Sequence, residues 1–414
     1  MRKNYILRGI STILAMLFLC LYSIPVVAKT QEKTTGNQLE LIDLSNLNTE
    51  SGYLYERANA NYDRLESDQY NVQKAIAGDP SWPGDMQGRI ILGLVSQAKT
   101  LHQREPVTLE AMMDEMEKNL IDGAFMNSKL NPDMANEQLF SGHSWFLRAM
   151  CELYQWNGDQ RALNVINNLV QKLLIEGKPA IERYPIEHLS GGGGVSGEII
   201  GQQNGWELST DTGCIFMMLD GATHAYEVTH NQELKQVIDV LIQKFMKADV
   251  VDLKFQTHAT LSATRGLLRF YQETNDKKYL DYALQRMNEY ITYGMTEAYM
   301  NYNWYQRPEW TEPCAIIDSY LVAMELFRFT EDIAWLELGQ KILYNGIGAA
   351  QRSNGGFGTD SCVGVSNQTL NLHGFEATQC CTMRGGEGTT KAIRYQYMIR
   401  QDNALYALQY GITR

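Results

Sequence analysis

Hydrophobic positions recur with helical spacing from about residue 82 to residue 400. In the segment 162–174, for example, Ala162, Val165, Ile166, Leu169 and Leu173 fall on one face, and polar residues occupy the other. A spacing of three and four residues places apolar side chains along one side of an α-helix. The pattern therefore predicts helices that each pack with one face against inner partners, in an all-α fold.

A turn motif recurs four times between pairs of predicted helices. In each case an aromatic residue ends one helix and a short polar turn leads to Asp or Asn, in the segments 154–159, 226–231, 271–276 and 327–332. The Asp or Asn side chain can accept a hydrogen bond from the free amides of the next helix. Each unit is thus a helical hairpin. With an earlier pair of helices and a last helix at about 386–400, the count of five to six hairpins predicts an (α/α)6 barrel over residues 81–400.

The two ends of the chain differ from this pattern. Met1, Arg2 and Lys3 precede an apolar stretch at residues 10–27 and the small residue Ala28. This order predicts a signal peptide over residues 1–28 and export to the periplasm or the outside of the cell, with no membrane span after cleavage. Residues 29–80 show little periodicity and are expected to form an irregular lead-in. Residues 401–414 alternate in polarity and suggest the start of a β segment or a tail.

The charge excludes some classes of partner. The formal net charge is −12 and no cluster of Lys and Arg interrupts it, so nucleic acid and anionic membranes are poor partners. The 7 Trp and 23 Tyr residues suit a sugar-binding cleft, although aromatic residues equally fill interfaces between helices. Composition therefore allows a carbohydrate partner, and it leaves the oligomeric state open.

Two long segments interrupt the helical pattern, at residues 177–210 and 350–379. Loops at one end of a helical barrel commonly build its site, so function is expected in these segments. The first contains four consecutive glycines at 191–194. This run lacks a following Lys-Ser/Thr and a preceding strand, and it therefore predicts a flexible loop and not a phosphate-binding loop.

Six cysteines follow the predicted signal peptide, and four acidic or thiol groups among the later residues have the chemistry of a metal site. An even number of cysteines in an exported protein allows disulfides. Cys380 and Cys381 are adjacent, however, and adjacent cysteines rarely pair with each other. Together with Glu312 and Cys314 they supply one carboxylate and three thiolates, a complete tetrahedral set for zinc. The residues alone also allow an alternative in which these thiols are buried and free and the chain has one disulfide. They do not decide whether Cys151, Cys214 and Cys362 are free.

The segment 297–315, followed by Gln379, Cys380 and Cys381, resembles the core of glycoside hydrolase family 127, the β-L-arabinofuranosidase group. The resemblance runs from about residue 85 to the C-terminus. It implies that Glu312, Cys314, Cys380 and Cys381 hold Zn²⁺ and that Cys380 is the nucleophile. It also implies that Glu297, 15 positions before Glu312 where the family has about 16, is the general acid and base.

The same resemblance assigns two histidines and Glu312 to the binding of sugar hydroxyls. His143 stands in Ser-Gly-His-Ser-Trp and His258 in Thr-His-Ala-Thr, both similar to family segments. Taken without the family, a histidine at a helix start is more often a capping or core residue. The chain also departs from the family after the cysteine pair, where it continues with Thr382 and not with Pro-Pro-Asn. This departure affects the expected identity of the sugar more than the expected reaction type.

The leading hypothesis is a retaining exo-glycosidase that releases β-L-arabinofuranose or a related sugar from plant-type oligo- or polysaccharides. One alternative keeps zinc as a purely structural ion and uses two carboxylates, with Asp211, Asp318 or Glu309 as candidates for the second. Another is a sugar-binding barrel without catalysis. A third is a lyase or an uronide hydrolase, which would not need the three thiols.

Overall fold

The computed structural model describes residues 38–43, 47, 50–101, 105–187, 195–307, 309–362, 376–400 and 402–408. The predicted signal peptide and the glycine run at 191–194 lie outside these residues, so export stays a prediction. None of the described helices is long and apolar enough to cross a membrane.

Helices dominate the described part of the chain, in agreement with the all-α prediction. In chain order they are α1 (Tyr53–Leu65), α2 (Val72–Ala77), α3 (Asp85–Leu101), α4 (Leu109–Asn119), α5 (Glu137–Asn157), α6 (Gln160–Leu169), α7 (Lys178–Arg183), α8 (Met218–Thr229), α9 (Gln232–Lys247), α10 (Thr257–Thr274), α11 (Lys277–Tyr293), α12 (Pro313–Thr330), α13 (Ile333–Lys341) and α14 (Cys381–Arg394). Helices α6 and α13 continue as π-helical turns at Val170–Ile175 and Ile342–Ile347.

Six of these helices form a closed inner ring. Contacts run from α3 to α5, α8, α10, α12 and α14 in turn, and α14 contacts α3 to close the ring. Helices α1, α4, α6, α9, α11 and α13 alternate with them along the chain and form the outer layer. Glycines permit close approach at several ring contacts, since a Cβ on Gly88 of α3 would lie 2.3 Å from the backbone of Phe146 in α5. The (α/α)6 barrel is confirmed.

The four turn motifs have the predicted capping geometry. Asp159, Asn231, Asp276 and Asp332 each accept a hydrogen bond from a backbone amide in the first turn of the following helix. The preceding helix ends in a left-handed residue whose amide donates to the carbonyl of the aromatic residue four positions earlier, as from Gly158 to Tyr154. Local capping therefore fixes each hairpin connection.

The predicted irregular lead-in at residues 29–80 is wrong in its second half. Residues 53–65 form α1, which packs against α3 and α14 and supplies an outer helix of the barrel. Its buried face includes Asn61, whose side-chain amide donates to the carbonyls of Gly355 and Thr382. A polar residue on the buried face weakens the hydrophobic periodicity, and the helix is therefore hard to recognise in the sequence.

Two small sheets accompany the barrel. The first joins β1 (Glu40–Leu41), β5 (Tyr397–Ile399) and β6 (Leu405–Ala407) in antiparallel order, and the second joins β2 (Ala135–Asn136), β4 (Trp206–Ser209) and β3 (Ile199–Gln203). Strand β6 lies where the sequence suggested a β segment. It pairs with β5, and β5 pairs with β1 from the other end of the described chain.

Candidate active site with a thiolate cluster

A cavity of ≈ 740 Å³ opens at one end of the barrel, where the inner helices begin. The last turns of the same helices line a second, more polar cavity of ≈ 380 Å³. The six inner helices thus run in one direction. Two tryptophans, one cysteine and several polar residues line the first cavity. Its lining includes Asp79, Trp82, Asp85, Arg89, Ser196, Met217, Gln256, His258, Trp310, Glu312, Asp360, Glu376 and Cys380.

Glu312, Cys314, Cys380 and Cys381 converge at this cavity. Their ligand atoms all lie within 4.8 Å of one another. The sulfur of Cys381 lies 3.6 Å from that of Cys314 and 3.3 Å from that of Cys380. Glu312, Cys314 and Cys381 are buried, and Cys380 is partly accessible. The structure therefore brings together two segments that are more than sixty residues apart in sequence.

Helix starts position all four side chains. Glu312 is the N-cap residue of α12, Pro313 occupies its first position, and Cys314 follows in the first turn. Cys380 is the N-cap residue of α14 and Cys381 its first residue. Proline fits the first helical position because its missing N–H has no partner there. The partial positive charge at a helix N-terminus favours thiolates and carboxylates at these positions.

The three cluster sulfurs lie within hydrogen-bonding distance of a neighbouring sulfur, and none of the six described cysteines forms a disulfide. Hydrogen bonds from Cys314 and Cys381 lower the pKa of Cys380 to about 5. Burial raises the pKa of both Cys314 and Cys381. Cys380 is the cluster sulfur that faces the cavity. Cys151, Cys214 and Cys362 are buried and free, which answers the question the sequence left open.

The four groups fit a tetrahedral metal ion. Zinc–sulfur bonds of about 2.3 Å would separate two ligand sulfurs by about 3.8 Å, and the distances of 3.6 Å and 3.3 Å need little adjustment. Thiolates favour zinc or another thiophilic ion over magnesium or calcium. The donor set therefore fits a site for a thiophilic metal ion.

Neighbouring side chains hold Glu312 in place. His258 Nδ1 lies 3.2 Å from one carboxylate oxygen, and the side-chain amide of Gln256 donates to the other at 3.5 Å. The backbone amide of Glu312 donates to Asn301 Oδ1. Burial lowers the pKa of His258, but the negative charges of Glu312, Cys314 and Asp318 outweigh it and raise the value to about 9. His258 is therefore a charged partner of Glu312 in the cavity wall.

Glu297 does not join the cluster. It is exposed, in the turn between Met295 and Asn301, and it is not among the residues that line the cavity. The role of general acid that the family resemblance assigns to it requires a side chain beside the nucleophile. The short turn, closed by the bridge between Met295 and Asn301, keeps Glu297 on the surface, so the structure does not support that role.

His143 also lies outside the cavity lining. It is fully buried, and both ring nitrogens have backbone partners, the amide of Met126 and the carbonyl of Leu139. Phe125 and Phe146 contact its ring edge to face, and burial lowers its pKa to about 4. A neutral histidine with both nitrogens occupied has no free group for a sugar hydroxyl. The core interpretation fits His143, and of the two histidines only His258 lines the cavity.

The candidates for a second carboxylate are all engaged elsewhere. Asp318 is buried and contacts Arg265, Arg384 and His258. Glu309 pairs with Arg307 and is 40% exposed. Asp211 accepts hydrogen bonds from Ser196, Gly197 and Gln256, and burial raises its pKa to about 7. Asp211 therefore holds the segment at Ser196, which lines the cavity, and Asp211 is not itself part of the lining.

Four cavity carboxylates were not recognised in the sequence, namely Asp79, Asp85, Asp360 and Glu376. Both oxygens of Glu376 bond to Arg64, and Asp360 pairs with Arg352. Asp85, the first residue of α3, bonds through one oxygen to Arg89, and its other oxygen is buried without a hydrogen-bond partner. The segment Trp82-Pro-Gly-Asp85 at a helix start was the available signal, because an acidic residue at the first helical position often faces a ligand or a dipole.

No family model matches the sequence, and no curated protein matches it. Solved structures do resemble the fold. A family 127 β-arabinofuranosidase has a TM-score of 0.58 at 12% identity, over 91% of this chain and 65% of its own. A family 127 β-L-arabinofuranosidase from Geobacillus stearothermophilus T6 has a TM-score of 0.54 at 14% identity, over 86% and 61%. A cellobiose 2-epimerase from Bacillus thermoamylovorans has 0.55 at 13%, over 82% and 98%.

The chain spans less than two thirds of the length of these two family 127 structures. At such low identity the comparison concerns the fold, which unrelated sugar-active enzymes share. The described part of the chain therefore has a helical-barrel fold that the two family 127 β-arabinofuranosidases also have.

Proposed function

We propose that this protein is a retaining glycoside hydrolase that uses the thiolate of Cys380, held in a zinc site with Glu312, Cys314 and Cys381, as its nucleophile. One observation carries the proposal: three thiols and a carboxylate meet at the wall of a cavity large enough for a sugar, in a fold shared with β-arabinofuranosidases. A structural metal site alone would not need one of its thiols to face a cavity.

The residues of the chain would act in the following order. A sugar ring packs against Trp82 or Trp310 in the cavity, with its hydroxyls near His258 and Glu312. When bound, zinc keeps the thiolates deprotonated at neutral pH. The sulfur of Cys380 forms a bond to the anomeric carbon as the bond to the leaving oxygen breaks, and that oxygen takes a proton from a carboxyl group. A water molecule that gives its proton to the same carboxylate would then form a bond to the anomeric carbon as the carbon–sulfur bond breaks, and two inversions would give net retention.

A cavity carboxylate must replace Glu297 as the proton donor. Asp85 is the best candidate, since one of its oxygens has no partner and burial raises its pKa despite the nearby Arg89. We expect Asp85→Asn to lower kcat by about 10²-fold to 10⁴-fold for a substrate with a poor leaving group. Glu297→Gln should keep wild-type turnover. The opposite ranking of the two variants would return the role to Glu297.

The proposed substrate is the non-reducing end of an oligo- or polysaccharide that carries β-L-arabinofuranose or a related sugar. Family 127 structures suggest this sugar, and a cavity of ≈ 740 Å³ with Cys380 in its wall suits the removal of single sugar residues.

The test is hydrolysis of a panel of p-nitrophenyl glycosides by the reduced, zinc-supplemented protein, with metal content measured on the same sample. We expect about one zinc per chain and hydrolysis of the β-L-arabinofuranoside, with the α-L-epimer as the matched control. Zinc without turnover of any glycoside would favour a sugar-binding barrel. A chain that excludes zinc but hydrolyses the glycoside would contradict the metal site.

A further inference from the structure

Arg89 contacts the thiolate cluster from the neighbouring helix. It lies on the second turn of α3, is 5% exposed, and its Nη1 donates to the sulfur of Cys314 at 3.4 Å. Cys314 belongs to α12, so this contact links two inner helices at the cavity. No residue role drawn from the sequence included Arg89.

Two further contacts fix the direction of the guanidinium group. Asp85 Oδ2 accepts a hydrogen bond from Nε at 2.7 Å, and the guanidinium carbon lies 4.2 Å from the centre of the Trp145 ring. Trp145 is fully buried and stacks on His258 at 5.5 Å, and His258 contacts Glu312. Arg89 is therefore held by a carboxylate on one side and an aromatic ring on its face, with one N–H group pointing at the sulfur.

The negative charge of the cluster is a physical reason for the contact between Arg89 and Cys314. Three thiolates and one carboxylate carry four negative charges, and a divalent ion offsets two of them. Excess negative charge in a buried site is costly unless cations or hydrogen-bond donors lie beside it. Arg89 stays charged at any physiological pH and its N–H reaches a sulfur, so it can offset this excess where it arises.

We propose that Arg89 is a positioning residue that stabilises the metal-loaded cluster by donating to Cys314. The proposal rests on the metal site of the proposed function. Partners that orient metal ligands usually contribute 10-fold to 100-fold in metal affinity. Arg89 thereby belongs to the metal site through Cys314 and without contacting the ion.

The test compares zinc dissociation constants by chelator competition for the wild type, Arg89→Met, Arg89→Lys and Arg328→Met. Arg328 is the matched control, because it is also a buried arginine paired with a carboxylate, Glu325, but lies near the opposite end of α12. Arg89→Met should weaken zinc binding by about 10-fold to 100-fold. Arg89→Lys should weaken it less, and Arg328→Met should bind zinc as the wild type does.

A second readout follows the sulfur itself. In the cobalt-substituted protein, the sulfur-to-cobalt charge-transfer band should shift in Arg89→Met and stay unchanged in Arg328→Met. Wild-type zinc affinity and an unshifted band in a folded Arg89→Met would overturn the inference while leaving the proposed function intact. If Arg89→Met does not fold, the same two results in Arg89→Lys would overturn it. A wild-type protein that binds no zinc would contradict the proposed function, and this inference with it.

Discussion

Replacing Cys380 with serine is expected to lower kcat by about 10³-fold or more while the protein stays folded. A serine hydroxyl at this position remains protonated at neutral pH, whereas neighbouring thiols lower the pKa of Cys380 to about 5. The measurement is single-turnover and steady-state hydrolysis of the best aryl glycoside, with circular dichroism to check folding.

Cys151→Ser is the matched control for this loss. Cys151 is fully buried and free, on α5 and outside the cluster, so its replacement should leave turnover near that of the wild type. If the metal only joined the starts of α12 and α14 and two carboxylates did the chemistry, Cys380→Ser would lower stability and retain turnover in the folded fraction. That outcome would remove Cys380 from the mechanism.

Replacing Glu387 with glutamine is expected to destabilise the fold by about 3–5 kcal/mol, the usual cost of breaking a buried ion pair. Glu387 is 1% exposed in the barrel interior and contacts three arginines, Arg148 at 2.5 Å, Arg265 at 2.7 Å and Arg384. Its loss leaves three buried cations with less negative charge among them. Denaturant unfolding at pH 7, followed by circular dichroism, measures the change in the free energy of unfolding.

An exposed ion pair provides the comparison. Lys277 and Asp281 are 2.8 Å apart but 78% and 53% exposed, so Asp281→Asn should cost less than about 1 kcal/mol. Equal effects of the two substitutions would contradict the importance of the buried network.

The cost of Glu387→Gln should also depend on pH. Burial alone would raise the pKa of Glu387, but the three arginines hold it well below its ordinary value. A lowered pKa contributes stability that is present above the unfolded-state value of about 4.3 and is lost as pH falls toward the folded-state value. The difference between the wild type and Glu387→Gln should therefore shrink below about pH 4.

Much of the barrel could be predicted because its signals are local. Asp159, Asn231, Asp276 and Asp332 cap the next helix with side chains a few residues away, and each motif is visible in a short segment of sequence. Helix α1 could not be predicted in this way because the polar group on its buried face is hydrogen-bonded to residues that are distant in sequence. Asn61 is satisfied by Gly355, Thr382 and Gln97, none of which is near it in sequence.

The part of the site that could be predicted from the sequence is the thiolate cluster, because its residue types allow few kinds of chemistry. Adjacent cysteines and a Glu-x-Cys segment suit few arrangements, and the structure brings them together. Glu297 and His143 were assigned by similarity of short segments, and side-chain direction depends on the turn and on the core around them. The turn at 295–301 leaves Glu297 exposed, and backbone groups of Met126 and Leu139 occupy both nitrogens of His143. Arg89 carries no motif, and its role depends on the contact between two helices.

The most direct test of the central claim is to label the nucleophile. The protein would be treated with an epoxide analogue of the sugar whose aryl glycoside it hydrolyses, and the labelled residue identified by peptide mass spectrometry. We predict one adduct per chain, on Cys380, formed in step with the loss of activity. Inactivation with the adduct on a carboxylate such as Asp85 or Asp211, and none on Cys380, would contradict the account.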